Sequence, residues 1–150
     1  MIDKKILSEK KEEAIRYLAQ TLSEFDFQFN HYGIKTTKDG YQKLKKEIRQ
    51  KGIIYNEIFF NGKHIFNGKM EDTIYEILEP NPGELVNENF IEHVAYVVDD
   101  LETISEKIAK QIISRFDVKN THGIKINPEK GLIIEIRNND IIDSIKDFSS

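Results

Sequence analysis

The sequence contains no cysteine and no tryptophan among its 150 residues. Without thiols there is no disulfide framework, no thiolate metal site and no cysteine nucleophile. Any metal must therefore be held by imidazole and carboxylate groups. No apolar run approaches the roughly 20 residues that a membrane-spanning helix needs. The charged stretch Met1 to Lys11 also lacks the apolar core of a signal peptide. A cytoplasmic protein without a membrane partner is the expectation. Basic residues are outnumbered, 22 to 26, and the net charge is −4. No basic stripe is available to neutralise phosphates, which argues against a nucleic-acid partner. The richest basic run, Lys43 to Lys51, reads as the solvated face of a helix. Proline is scarce, and two of the three prolines fall together at Pro80 and Pro82, where they mark a linker.

What is present suits a compact α+β domain. Nine Phe and six Tyr supply large core side chains. Residues 8–24 have the period of an amphipathic helix, with Ile15, Leu18, Leu22 and Phe25 on one stripe and Ser8 as its N-cap. From Phe25 the period changes to two and predicts a strand carrying His31. Thr36 to Asp39 open a second helix that Gly52 stops. Asn61-Gly62 predicts a hairpin between Ile53–Phe60 and Lys63–Phe66, Asn67-Gly68 a second turn, and Thr73 to Leu78 the last strand of this half.

After the linker the order repeats. A strand over 91–98 carries His93, and a helix over 100–114 follows, with Asp99 and Glu102 resembling a capping box. Short strands at 116–118 and 122–127, a turn at Pro128 to Gly131, a strand at 132–137 and a helix over 140–148 complete the chain. The expected divisions are a helical extension (1–24), a first βαβββ module (25–80), a linker (81–90), a second βαβββ module (91–137) and a C-terminal helix (138–150).

The repetition extends to polar residues inside apolar strands. Each half has a histidine on its first strand and a glutamate within its last: His31 with Glu76, and His93 with Glu135. Each glutamate interrupts an apolar run, Ile74-Tyr75-Glu76-Ile77-Leu78 and Ile133-Ile134-Glu135-Ile136, and is costly to bury unless paired or bound to metal. By strand parity Lys35 shares the face of His31, and Arg137 that of Glu135. The opposite faces, such as Val94, Tyr96 and Val98, are uniformly apolar and suited to packing under helices.

This doubled strand-helix-strand-strand-strand order, with His…Glu…His…Glu, resembles the vicinal oxygen chelate superfamily of glyoxalases, methylmalonyl-CoA epimerases, extradiol dioxygenases and bleomycin-resistance proteins. Tyr75-Glu76-Ile77-Leu78-Glu79-Pro80 and Glu92-His93-Val94-Ala95-Tyr96-Val97-Val98-Asp99-Asp100 are similar to strands of the epimerase and glyoxalase branch. The resemblance spans residues 27–137 and implies two βαβββ modules forming a curved mixed-sheet cup with helices outside. The N-terminal helix stands outside that pattern. It further implies a divalent metal (Zn, Ni, Co, Mn or Fe) held by His31, Glu76, His93 and Glu135. Glu135 or Glu76 would then act as the base of a lyase or isomerase that stabilises an enediolate or enolate. Lys35 and Arg137 would bind an anionic group of a small-molecule substrate. The cup could close within one chain or across a homodimer.

Plainer readings stand beside these. A lone strand histidine more often makes a structural hydrogen bond than a metal bond, and the repetition is what favours ligation. Glu79 reads as a turn residue, His64 as solvent-exposed just after the hairpin turn and His122 as structural, and Lys35 and Arg137 read equally well as ion-pair partners. A non-catalytic, resistance-type binding protein is the alternative function. An iron dioxygenase is disfavoured by the second inward glutamate.

Overall fold

A computed structural model of the chain describes residues 2–87 and 89–148. Glu88 of the expected linker and the last two residues of the C-terminal segment lie outside the described residues. The described elements are α1 (Lys4–Thr21), β1 (Gln28–Lys35), α2 (Lys38–Lys51), β2 (Ile53–Phe60), β3 (Lys63–Met70) and β4 (Thr73–Leu78). Then come β5 (Phe90–Val97), α3 (Leu101–Lys107), β6 (Ile112–Val118), β7 (Thr121–Glu129), β8 (Leu132–Arg137) and α4 (Ile145–Phe148). The class is α+β, with the strand-helix-strand-strand-strand order present twice. The described chain divides into two compact units, one formed by Ile2 with His31–Glu92 and one by Asp3–Asn30 with His93–Phe148.

In the first unit the strand order is β2-β3-β4-β1, with β1 parallel to β4 and the other pairs antiparallel. The amphipathic helix α2 buries Tyr41, Leu44 and Ile48 against one face of these strands. Tyr41 meets Phe66 edge-on at 5.1 Å, and Ile77 and Ile34 are buried on the same side. Asn61 and Gly62, both at positive φ, make the expected hairpin turn. The second expected turn is absent, because Asn67 and Gly68 lie inside β3. The chain reverses instead at Glu71 and Asp72, both at positive φ. Gly68 serves close packing: a Cβ there would come within 2.8 Å of Ile48 Cγ2 and 3.0 Å of the Ile53 carbonyl.

On the helix side of this unit, Glu57 accepts hydrogen bonds from Tyr41 and from Lys45, each at 2.6 Å. Burial alone would raise the Glu57 carboxyl. The bonds from Lys45 and Tyr41, aided by the charges of Lys45 and His64, outweigh it and hold the group below its ordinary value. The folded value is thus the depressed one. Its stabilisation is present above the ordinary glutamate value and is lost as pH falls through the folded value. Glu57→Gln should lower Tm near neutrality by about 2–4 °C, the equivalent of about 1 kcal/mol. It should also flatten the decline of Tm on acidification, and melting curves of the two proteins that fall in parallel below about pH 5 would refute this role.

In the second unit the order is β5-β8-β7-β6, with β5 parallel to β8. Leu132, Ile134 and Ile136 of β8 and Val94 and Tyr96 of β5 are all buried, as the parity argument requires. The N-terminal helix belongs to this unit. The Tyr96 hydroxyl donates to the Lys11 carbonyl at 3.3 Å, and Lys10 Nζ to the Gly131 carbonyl at 2.9 Å.

Several boundaries differ from the sequence expectation. Helix α1 starts at Lys4 because Asp3 caps it, accepting from the amides of Lys5 and Ile6 at 3.0 and 3.3 Å. Ser8 is then an exposed helical residue, and Leu7 extends the buried stripe. The first strand begins at Gln28, since residues 22–25 form a turn closed by the Phe25 amide on the Leu22 carbonyl. Asp100, not Asp99, caps α3 through the Thr103 amide and hydroxyl. That helix stops at Lys107, and the β-branched pair Ile112-Ile113 enters β6. Strands β6 and β7 are correspondingly longer than expected, at 7 and 9 residues. Pro128 sits inside β7 at a register irregularity, where no ladder donor is required. Only Ile145–Phe148 of the expected last helix is helical. Before it, the Asp140 carboxylate takes the Ile142 amide at 2.8 Å, a local bond that competes with helix.

Candidate metal centre

Each unit carries one histidine–glutamate pair, built the same way. In the first, Glu76 on β4 stands opposite Gly33 of β1, two residues beyond His31 and therefore on the same face. In the second, Glu135 on β8 stands opposite Ala95 of β5, two residues beyond His93. Parallel pairing with a small residue at that offset brings the side chains together. His31 Nε2 lies 3.9 Å from Glu76 Oε1, and His93 Nε2 lies 3.7 Å from Glu135 Oε1. These separations exceed a hydrogen bond and suit two atoms that can address a common third partner. His31, His93 and Glu135 are buried, and Glu76 keeps about a fifth of its side-chain surface.

The surroundings of the pairs differ. Arg137 Nη1 donates to Glu135 Oε2 at 3.1 Å, Nη2 to the Ser144 hydroxyl at 3.0 Å and Nε to the Asn139 carbonyl at 2.8 Å. Its guanidinium also lies 5.5 Å from the Phe116 ring centroid. Gly123, paired with both Arg137 and Phe116, makes room for that ring; a Cβ would come within 2.1 Å of Phe116 Cζ. Arg137 thus orients Glu135 and leaves Oε1 facing His93. Lys35, mostly buried, lies 3.2 Å from Glu84 and 3.4 Å from Glu92.

Two neighbours were not singled out by sequence reasoning. Asn67 of β3 is in register with Glu76, and Lys125 of β7 with Glu135, so each shares its glutamate's face. Asn67 Nδ2 donates to Asn56 Oδ1 at 2.9 Å. The equivalence of 67 and 125 follows from the repeat once registers are known, but Asn67-Gly68 imitates a turn in sequence. The other histidines are paired elsewhere. His64 Nδ1 lies 2.7 Å from Glu79 and His122 Nδ1 lies 2.8 Å from Asp117, with both imidazoles about half exposed. Glu79 also accepts the His64 amide, as suits a structural residue.

No family model matches the chain, and no curated protein matches it in sequence. Solved structures do match in fold. A structural-genomics protein, EC4020, aligns with a TM-score of 0.66 at 16% identity, over 95% of this chain and 92% of its own. A methylmalonyl-CoA epimerase in complex with methylmalonyl-CoA and NH4+ gives 0.59 at 14% identity, over 77% of this chain and 96% of its own. The methylmalonyl-CoA epimerase of Mycobacterium tuberculosis gives 0.56 at 14% identity, over 77% of this chain and 91% of its own.

Proposed function

The chain has the vicinal oxygen chelate fold, and from that premise we propose that it is a divalent-metal-dependent isomerase or lyase that moves a proton at carbon next to a carbonyl. The observation that carries this reading is the repeated pair, a buried histidine and a strand glutamate at 3.9 Å in one unit and 3.7 Å in the other. Two imidazoles with two carboxylates are a donor set that suits a divalent first-row ion. Three of the four, His31, His93 and Glu135, are buried residues that each offer one ligand atom. An ion bound to them would supply Lewis-acid stabilisation of the negative charge that builds up on an enolate oxygen.

The chain's own residues divide the remaining work. Glu135, clamped at one oxygen by Arg137, is held in a fixed orientation with the other oxygen available as a ligand. Arg137 is a positioning residue, saturated by Glu135, Ser144 and Asn139. Glu76 is the base that takes the proton from carbon, since it alone of the four keeps contact with solvent. Lys125, in register with Glu135, provides the charge for a carboxylate or comparable anionic group on the substrate, whereas Lys35 is already paired with Glu84 and Glu92. The substrate class is a 2-oxo acid, a 2-hydroxy acid derivative or a thioester.

The test is exchange of the α-proton of methylmalonyl-CoA in D2O, followed by NMR with the protein loaded with Co(II), Mn(II) or Zn(II). Metal-dependent loss of the α-proton signal is expected. A metal-loaded protein that leaves this proton and those of simple 2-oxo acids untouched would overturn the enzyme reading.

A further inference from the structure

Helix α1 lies outside the repeated modules, and with the segment leading into β1 it forms a groove of about 500 Å³ within the second unit. The walls are Ile15 and Leu18 on α1 with Leu22 at its C-cap, and the floor is Phe25, Phe27 and Phe29 with Tyr96. Phe27 and Phe29 meet Tyr96 edge-on at 6.4 and 5.8 Å, and Tyr96 is tied through its hydroxyl to the Lys11 carbonyl. The floor is thus a packed aromatic surface, and Ile15, nearly half exposed, forms an open wall.

The two ends differ in charge. At one end Lys107 lies 6.0 Å from the Phe25 ring, but Glu24 pairs with its ammonium. At the other end Lys11 Nζ sits 4.2 Å from the Phe29 centroid, directly on the groove lining. Among the described residues no carboxylate pairs with Lys11. The groove therefore has an apolar length, one neutralised end and one cationic end.

We propose that this groove binds an amphipathic monocarboxylate, a medium-chain fatty acid, with its carboxylate on Lys11 and its chain over Phe29, Phe27 and Phe25. A volume of about 500 Å³ lies within the usual range of small-molecule sites, about 300–1,000 Å³. A stable protein partner would need about 800 Å² on each side, far more than a groove of these few residues offers. The cation selects the acid over the uncharged alcohol of equal length, and the aromatic floor selects a chain over a short anion such as acetate. This site uses none of the residues assigned to the metal centre.

The test is calorimetric titration of the full chain with decanoate, decanol and acetate, repeated after chelator treatment. Saturable binding of about one decanoate per chain is expected, at least about tenfold tighter than decanol and unaffected by the chelator. Lys11→Met should remove the preference over decanol, Lys11→Arg should restore it, and Ile15→Glu on the open wall should weaken both ligands. The wild type alone can overturn the proposal, by giving no saturable binding or equal affinities for decanoate and decanol. A concentration-dependent dimer that Ile15→Glu dissociates, with no binding of decanoate, would assign the groove to a second copy and overturn it as well.

Discussion

Glu76→Gln is expected to slow α-proton exchange by about 10²–10⁴-fold, the range of a single general base, or about 3–5 kcal/mol of barrier. The same protein should keep most of its bound metal. Glu135→Gln should lose both activity and metal. The difference follows from surroundings rather than chemistry, since both are strand glutamates facing a histidine at nearly equal distance. Glu135 is buried and one of its oxygens is spent on Arg137, so it has little freedom to move a proton and is well placed to hold an ion. Glu76 is partly exposed. Exchange rates from NMR, set beside metal content for each variant, separate the two roles. If Glu76→Gln exchanges at the wild-type rate, Glu76 is not the base.

Arg137→Met should destabilise the metal-free protein by about 3–5 kcal/mol, the usual cost of leaving a buried charge without its partner. In a chain of this size that corresponds to a fall in Tm of roughly 10 °C. Arg137 and Glu135 are each about 3% exposed, so water cannot replace the lost guanidinium. The bonds to Ser144 and Asn139 disappear with it. The double variant Arg137→Met/Glu135→Gln should recover part of the loss, because it removes the stranded carboxylate as well. Urea unfolding of the wild type, both single variants and the double measures this coupling. Strictly additive losses would mean that the pair is not a unit.

The strands that carry the histidine–glutamate pairs were legible because their signal is local. Alternation of two, β-branched residues and a charged residue among isoleucines fixed β1, β4, β5 and β8 to within a few residues. The repeat of the same five elements in each half then makes the βαβββ order readable. What was not legible depended on competition between nearby groups. Asp3 outcompeted Ser8 as a cap although Ser8 precedes an equally good apolar stripe. Asn67-Gly68 carries the composition of a turn, yet Gly68 is demanded by its close approach to Ile48, and Asn67 is bonded within the sheet to Asn56. Ile112 fits both a helical stripe and a strand start, and its pairing with Ile126 decided for the strand. At the site, residue types and parity are readable from the chain but registers are not, and only the registers place Lys125 beside Glu135 and Asn67 beside Glu76. The sequence could not show that Arg137 turns back onto Glu135 rather than outward.

Metal stoichiometry decides whether the two histidines serve one ion. Purified protein reconstituted with Co(II), Mn(II) or Zn(II) and freed of excess should be assayed by plasma mass spectrometry, beside His31→Ala and His93→Ala. About one tightly held ion per chain is expected, lost in both variants, if the proposed centre takes a ligand from each histidine. An ion that survives either substitution, one ion for each pair, or none at all in a folded protein would contradict it.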